Sequence, residues 1–357
     1  MNQPLDESML PIPRIAEKGK KYTFPFTFVI PERLLDSSCT HRVKNDTVRE
    51  AHLQLPPSAG DPYFAGEGGC LINDFFPDMA RISYCIRAKI LRRRGSDDRS
   101  ITLADSSRKI RITPNVEESP PVHAEDHPGD YVLRVEKNIK RGIFRGRLGR
   151  LTVEAEQPKD LGLPPCPAST LVPISLWFVV SDEPFEPPKL GTLKAKLRIS
   201  TFFSNSAINY IPRPSSHTND ALLGHYGVSL LLSSRCMAGV KWIKQSSLGP
   251  TTYNATLLVP ITIPKCKELV PSFATCLISR SYMLDLSIAV QASIHPHPSV
   301  SLKIPLQVSR PSRSTPSIPV AIAGNGNVDE IFTPRPVPIS DQNIPGLPGY
   351  SILTGTV

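Results

Sequence analysis

The chain has 357 residues, of which 40% are hydrophobic and 20% charged, and it carries 38 prolines and a formal net charge of +9. Domains commonly run ~100–200 residues, so there is room for about two, and prolines spread along the length leave few windows for a long helix. The positive charge favours acidic partners without choosing among them, no run nears the ~20 apolar residues of a membrane span, and the start MNQPLDES lacks the regions of a signal peptide, so a cytosolic protein is expected.

The first element is YTFPFTFVIP. Tyr22, Phe24, Phe26, Phe28 and Ile30 fall on one face, and Pro25 marks an edge or a bulge. RISYCIRAKILRRR follows, with Ile82, Tyr84, Ile86, Ala88 and Ile90 alternating against polar neighbours, the pattern of one dry and one wet face. SRKIRITP offers a short partner strand through Ile110 and Ile112, and RRRGSDDRS between the two reads as a solvated hairpin tip. From Thr113 to Tyr131 the apolar period disappears among Pro, Glu, Asp and His, which sets the boundary between domains.

Beyond it, alternation predicts strands at Leu148–Glu156, Val172–Ser181, Leu193–Phe203, Tyr226–Ser233, Tyr253–Ile263, Ser279–Ala292 and Val300–Val308. HPHPS joins the last two as a hairpin. One dry face carries Tyr282, Leu284, Leu286, Ile288 and Val290, facing a second with Val300, Leu302, Ile304, Leu306 and Val308. Many short strands with turn-rich connections make this an all-β chain of antiparallel β-sandwiches, one on each side of the boundary. After Val308, Pro, Ser, Gly and Asn dominate, and a disordered tail is expected.

No nucleophile elbow, phosphate loop or zinc signature is present, so no enzyme is expected and no catalytic residue is nominated. The seven cysteines, Cys39, Cys70, Cys85, Cys166, Cys236, Cys266 and Cys276, are odd in number, widely spaced and without a C-x-x-C pair. That spacing argues against a disulfide framework and against a metal site, and predicts reduced, mostly buried thiols. His295 and His297 read as a loop, and Asp97 and Asp98 as part of the hairpin tip. No cofactor is expected.

Two basic clusters are candidate phosphate or anionic-lipid sites. One is Arg92, Arg93 and Arg94; the other, in KNIKRGIFRGRLGR, is Lys137, Lys140, Arg141, Arg145, Arg147 and Arg150. Neither has the interleaved aromatics that stack bases, so nucleic acid is not an expected partner. In the tail, Leu347, Pro348, Gly349 and Tyr350 form an L-P-x-Y variant of the P-P-x-Y ligand of WW domains, with Pro345 holding the segment extended.

YTFPFTFVIPERLLDSSCTH resembles part of the N-terminal domain of fungal arrestin-related trafficking adaptors. Similar stretches follow in DTVREAHLQLPPSAGDP, PDMARISYCIRAKILRRR, LADSSRKIRITP, KNIKRGIFRGRLGRLTVEAEQP and LGTLKAKLRISTFF. LVPITIPKCKELVPSFATCLISRSYMLDLSIAVQ and SVSLKIPLQV resemble the last strands of the C-terminal domain, so the likeness spans roughly residues 20–310.

The resemblance implies a disordered segment at 1–19, a partial arrestin-like N-terminal domain at 20–115, a linker at 116–130, an arrestin-like C-terminal domain at 131–310 and a Pro-rich tail at 311–357. Family members usually carry several strands before the Y-x-F-P-F segment, so the first sandwich is expected to be incomplete. The implied function is to bring a WW-domain ubiquitin ligase of the Nedd4 type to the tails of membrane transporters or receptors for endocytosis. Such a protein is cytoplasmic and peripheral at the plasma membrane or endosomes. The family's double proline is replaced here by Leu347-Pro348. The alternative is a scaffold that recruits no ligase and binds phosphorylated or anionic-lipid targets through its basic surfaces.

Overall fold

A computed structural model describes residues 18–62, 74–93, 100–117, 127–140, 146–164, 168–181, 186–245, 250–264, 267–291, 298–311, 331–332 and 335–337. The region before the boundary holds α1 (Asp46–Leu53), β1 (Tyr84–Arg93) and β2 (Ser100–Ile110). Helix α1 starts where the Asn45 side chain accepts from the Val48 amide at 3.0 Å, satisfying one of the donors a helix start leaves open. β1 and β2 pair antiparallel from Tyr84↔Ile110 to Arg93↔Ser100, as the alternation predicts.

After the boundary come β3 (Arg134–Lys140), β4 (Arg147–Ala155), β5 (Leu161–Gly162), β6 (Ser169–Val180) and β7 (Leu190–Phe203). Then follow α2 (Ser216–Asn219), β8 (Gly224–Cys236), β9 (Ile243–Gln245), β10 (Thr252–Thr262), β11 (Phe273–Ala274), β12 (Ile278–Val290), β13 (Ser299–Leu306) and β14 (Val308–Ser309). All seven strands expected between Leu148 and Val308 form within a few residues of their predicted ends.

One sheet runs β10-β6-β4-β3 and the other β11-β12-β7-β8, with β9 and β13 paired at β10 and β12. Their inner faces share one core, where Leu151, Leu176 and Leu257 of the first sheet join Leu197, Leu284 and Leu302 of the second. Within the β12–β13 hairpin, Tyr282, Leu284, Leu286 and Ile288 stand opposite Leu306, Ile304, Leu302 and Val300, so the two predicted dry faces coincide. Each fully buried aliphatic side chain here contributes roughly 1.5–3 kcal/mol, an upper figure because unfolded chains already hide some surface.

Three expectations are corrected. Residues 22–30 form no strand, and Phe26 and Val29 are 59% and 74% exposed. Alternation alone does not make a strand when no neighbour supplies ladder hydrogen bonds or an opposing apolar layer. The dry face of β1 is also not dry, because Ile90 is 61% exposed. Among the described residues 18–117 the only sheet is the β1–β2 pair, so no second sandwich is seen there.

The tail differs too, since its described residues form two short strands. β15 (Ile331–Phe332) adds parallel to β10, and β16 (Arg335–Val337) adds antiparallel to β8. Sheet edges carry unpaired backbone groups that a passing segment can satisfy, and Phe332 also packs against the core.

The N-terminal region leans on the β11–β12 end of the sandwich. Ala59, Phe76 and Ile82 pack with Val270, Phe273 and Ile278. Arg280 of β12, 1% exposed, lies over the Phe76 ring at 4.3 Å from its centroid and donates from Nη2 to the carbonyls of Asp74 and Phe75, each at 3.3 Å. Phe75 itself takes the left-handed backbone conformation, φ 57°. No helix among the described residues is long and apolar enough to cross a membrane.

Candidate functional site

The predicted basic residues divide between the two regions. Arg92 lies exposed near the end of β1 and Arg93 ends that strand. In the sandwich, Lys140 and Arg147 are exposed partners across the β3–β4 ladder, next to a bulge. Lys137 is engaged, donating from Nζ to the Ser299 carbonyl at 2.7 Å, and Arg150 faces Glu136 at 3.5 Å. The side chain of Arg93, and Arg94, Arg141 and Arg145 altogether, lie outside the described residues. So do Leu347, Pro348, Gly349 and Tyr350, as well as Asp97, Asp98, His295 and His297.

The described residues also converge at a place the sequence reading passed over. Leu35 is followed by a single 3-10 turn at Asp36–Ser38, closed by the Cys39 amide donating to the Asp36 carbonyl at 3.2 Å. Cys39 then sits 1% exposed, its carbonyl accepting from Arg49 Nη1 at 3.0 Å. Two residues on is His41, and His52 occupies the last turn of α1, also 1% exposed. The fourth member is Cys276, from the tight turn between β11 and β12. There Thr275 Oγ1 accepts from the Ile278 amide at 3.0 Å and holds the turn closed.

The Cys39, His41, His52 and Cys276 ligand atoms all lie within 4.8 Å of one another. Cys39 Sγ is 3.8 Å from His41 Nδ1 and 3.7 Å from His52 Nδ1, and Cys276 Sγ is 3.7 Å from the same His52 atom. The other nitrogen of His41, Nε2, is 3.0 Å from the Ile208 carbonyl. The Ile208 amide in turn donates to the Cys276 carbonyl at 2.8 Å, so the loop at 208 braces both sides. His52 Nε2 is buried without a hydrogen-bond partner among the described residues.

Burial, and then the neighbouring His41, hold the His52 imidazole below its ordinary value. Burial first, and Cys39 beside it second, push the Cys276 thiol up to about 11. As bare side chains, both groups are therefore neutral near pH 7. Beside the cluster an open cleft is lined by Arg42, Val43, Lys44, Asn209 and Tyr210.

The spacing argument against a zinc site does not reach this convergence. The spacing rule concerns local C-x-x-C pairs, whereas here the fold supplies the fourth group from 224 residues beyond His52. A signal existed in Cys39-Thr40-His41 followed by His52 on a short helix. The expectation of mostly buried thiols also fails for Cys85 and Cys236, which are exposed, while Cys276 is half-buried.

Fold and site together define a mostly β protein whose sandwich meets its N-terminal region at a partly buried Cys/His cluster. No protein-family model matches the chain, and no curated protein matches it either.

Proposed function

We propose that the chain is an arrestin-like adaptor that links a WW-domain ubiquitin ligase of the Nedd4 type to the tails of plasma-membrane transporters or receptors. On this reading it works by binding and not by chemistry, from the cytoplasmic side of the plasma membrane or endosomes. The observation that carries it is the sandwich. The strands β3, β4 and β6 to β13 build one two-sheet sandwich, which supports reading 131–310 as a C-terminal arrestin-like domain; on this reading residues 20–115 are a partial N-terminal one.

In this scheme the ligase contact is Leu347-Pro348-Gly349-Tyr350, with the proline segment against WW aromatics and the tyrosine in the neighbouring pocket. A pull-down of the full chain with isolated WW domains tests it. Wild type is expected to be retained and Tyr350→Ala to be lost. Equal retention of both, or of neither, removes the ligase link.

A second reading is favoured by Lys140 and Arg147, which stand side by side and exposed across the β3–β4 ladder. Such a pair suits a phosphorylated or anionic-lipid target without any ligase. It predicts salt-sensitive sedimentation with vesicles containing phosphatidylserine, abolished in Lys140→Glu/Arg147→Glu. Retention unchanged by that charge reversal excludes it.

A further inference from the structure

We propose that Cys39, His41, His52 and Cys276 bind one Zn2+ ion, and that this ion staples residues 39–52 to the β11–β12 turn of the sandwich.

The donor set comes first. Two thiols and two imidazoles are the soft and borderline ligands that a tetrahedral zinc site uses, and no carboxylate takes part. With Zn–S near 2.3 Å and Zn–N near 2.0–2.1 Å, a tetrahedral centre requires ligand atoms roughly 3.4–3.8 Å apart. The three sulfur-to-Nδ1 separations, 3.7, 3.7 and 3.8 Å, lie in that interval.

Proton placement comes second. A carbonyl only accepts, so the Ile208 oxygen fixes the hydrogen of neutral His41 on Nε2 and leaves a lone pair on Nδ1, the atom that faces Cys39. A ligating histidine usually donates its second N–H to a carbonyl, which fixes ring orientation in the same way. The backbones carrying both sulfurs are braced as well, through the Arg49 contact to the Cys39 carbonyl and the Ile208 contact to Cys276.

Charge comes third. As a bare cluster, four groups with lone pairs crowd together with only weak S–H donors to share. Binding Zn2+ releases one proton from each thiol. The two thiolates then balance the ion's double charge, so the buried centre is neutral and avoids the penalty of a lone buried charge. All four positions are taken by protein atoms, which makes the site structural and leaves no open position for a substrate.

Zinc content of the purified full chain tests this, measured by inductively coupled plasma mass spectrometry under reducing conditions. One ion per chain is expected. Cys39→Ser/Cys276→Ser is expected to lower zinc affinity at least about tenfold, a minimum because even residues that merely orient ligands cost 10–100-fold. Cys85→Ser, which changes an exposed thiol outside the cluster, is expected to leave zinc content unchanged.

The double variant can fail to fold, so a second measurement uses the wild type alone. Metal-free, reduced chain is titrated with Co2+, whose visible bands report tetrahedral geometry and whose sulfur charge-transfer intensity counts thiolates. Two thiolates are expected. The proposal is overturned by a wild-type chain that takes up neither ion, by a Co2+ spectrum with fewer than two thiolates, or by zinc retained in a folded double variant. A Cys39–Cys276 disulfide in chain purified without reductant also overturns it. Each outcome is independent of whether the tail binds WW domains.

Discussion

Two stretches with the same alternation end differently. Along β12, Leu284 and Leu286 are fully buried, whereas Phe26 and Ile90 in the N-terminal region are 59% and 61% exposed. The patterns are equally clean, so the difference lies in what stands opposite. β12 has β7 and β13 beside it and a second sheet over its inner face. β1 has only β2 as a strand partner, and 22–30 has no strand partner among the described residues. Alternation sorts apolar side chains onto one face; an opposing layer is what turns that face into a core.

If that holds, stability is concentrated in the sandwich. Leu284→Ala should cost about 2–5 kcal/mol, the usual range for a fully buried leucine including the cavity it leaves. Urea unfolding followed by tryptophan fluorescence would measure it, since Trp242 packs against the same core. A cost below 1 kcal/mol would mean the core relaxes around the gap, and the contrast between the regions would lose its basis.

A smaller effect is expected at α1, which belongs to the N-terminal region but is tied to the sandwich through its last turn. Asn45→Ala removes the side-chain acceptor for the Val48 amide and should cost about 1 kcal/mol. Hydrogen exchange at the first turn of α1 checks whether that loss stays local. Exchange that also rises at the β11–β12 turn would show that helix and turn open as one unit, as a shared Cys/His centre requires.

The seven longer sandwich strands were legible because their signal is local and repeated, with side chains at every second position over eight or more residues. The seven-residue β3, inside the basic stretch, and the two- and three-residue β5, β9, β11 and β14 were not. Three other features were not either. Helix α1 has only eight residues, and its one clear marker is Asn45 ahead of an acidic first turn, a pattern that also reads as a glycosylation triplet. β15 and β16 are two and three residues long, too short for any period, and exist because sheet edges accept them. The Cys/His cluster needs residues from a 3-10 turn, a helix end and a distant hairpin, and sequence gives no measure of distance between segments so far apart. Its local half, Cys39-x-His41 with His52 beyond, was visible but had no fourth ligand nearby.

The smallest effect on folding is expected where the contrast is sharpest. Ile90 and Leu103 lie on the β1–β2 pair and are 61% and 57% exposed. Replacing both by threonine keeps β-branched or strand-compatible side chains while removing apolar surface, so folding stability should change by no more than about 0.5 kcal/mol. Self-association should change more, because an exposed apolar sheet with no further strand among the described residues is a template for pairing with another chain. Sedimentation velocity over a concentration series is expected to show the double variant more monomeric than the wild type. Were the variant instead destabilised as strongly as Leu284→Ala, the face of β1 and β2 would have to be covered in the folded chain. The lesson drawn from β12 would then apply to both regions, with a layer supplied by residues outside those described.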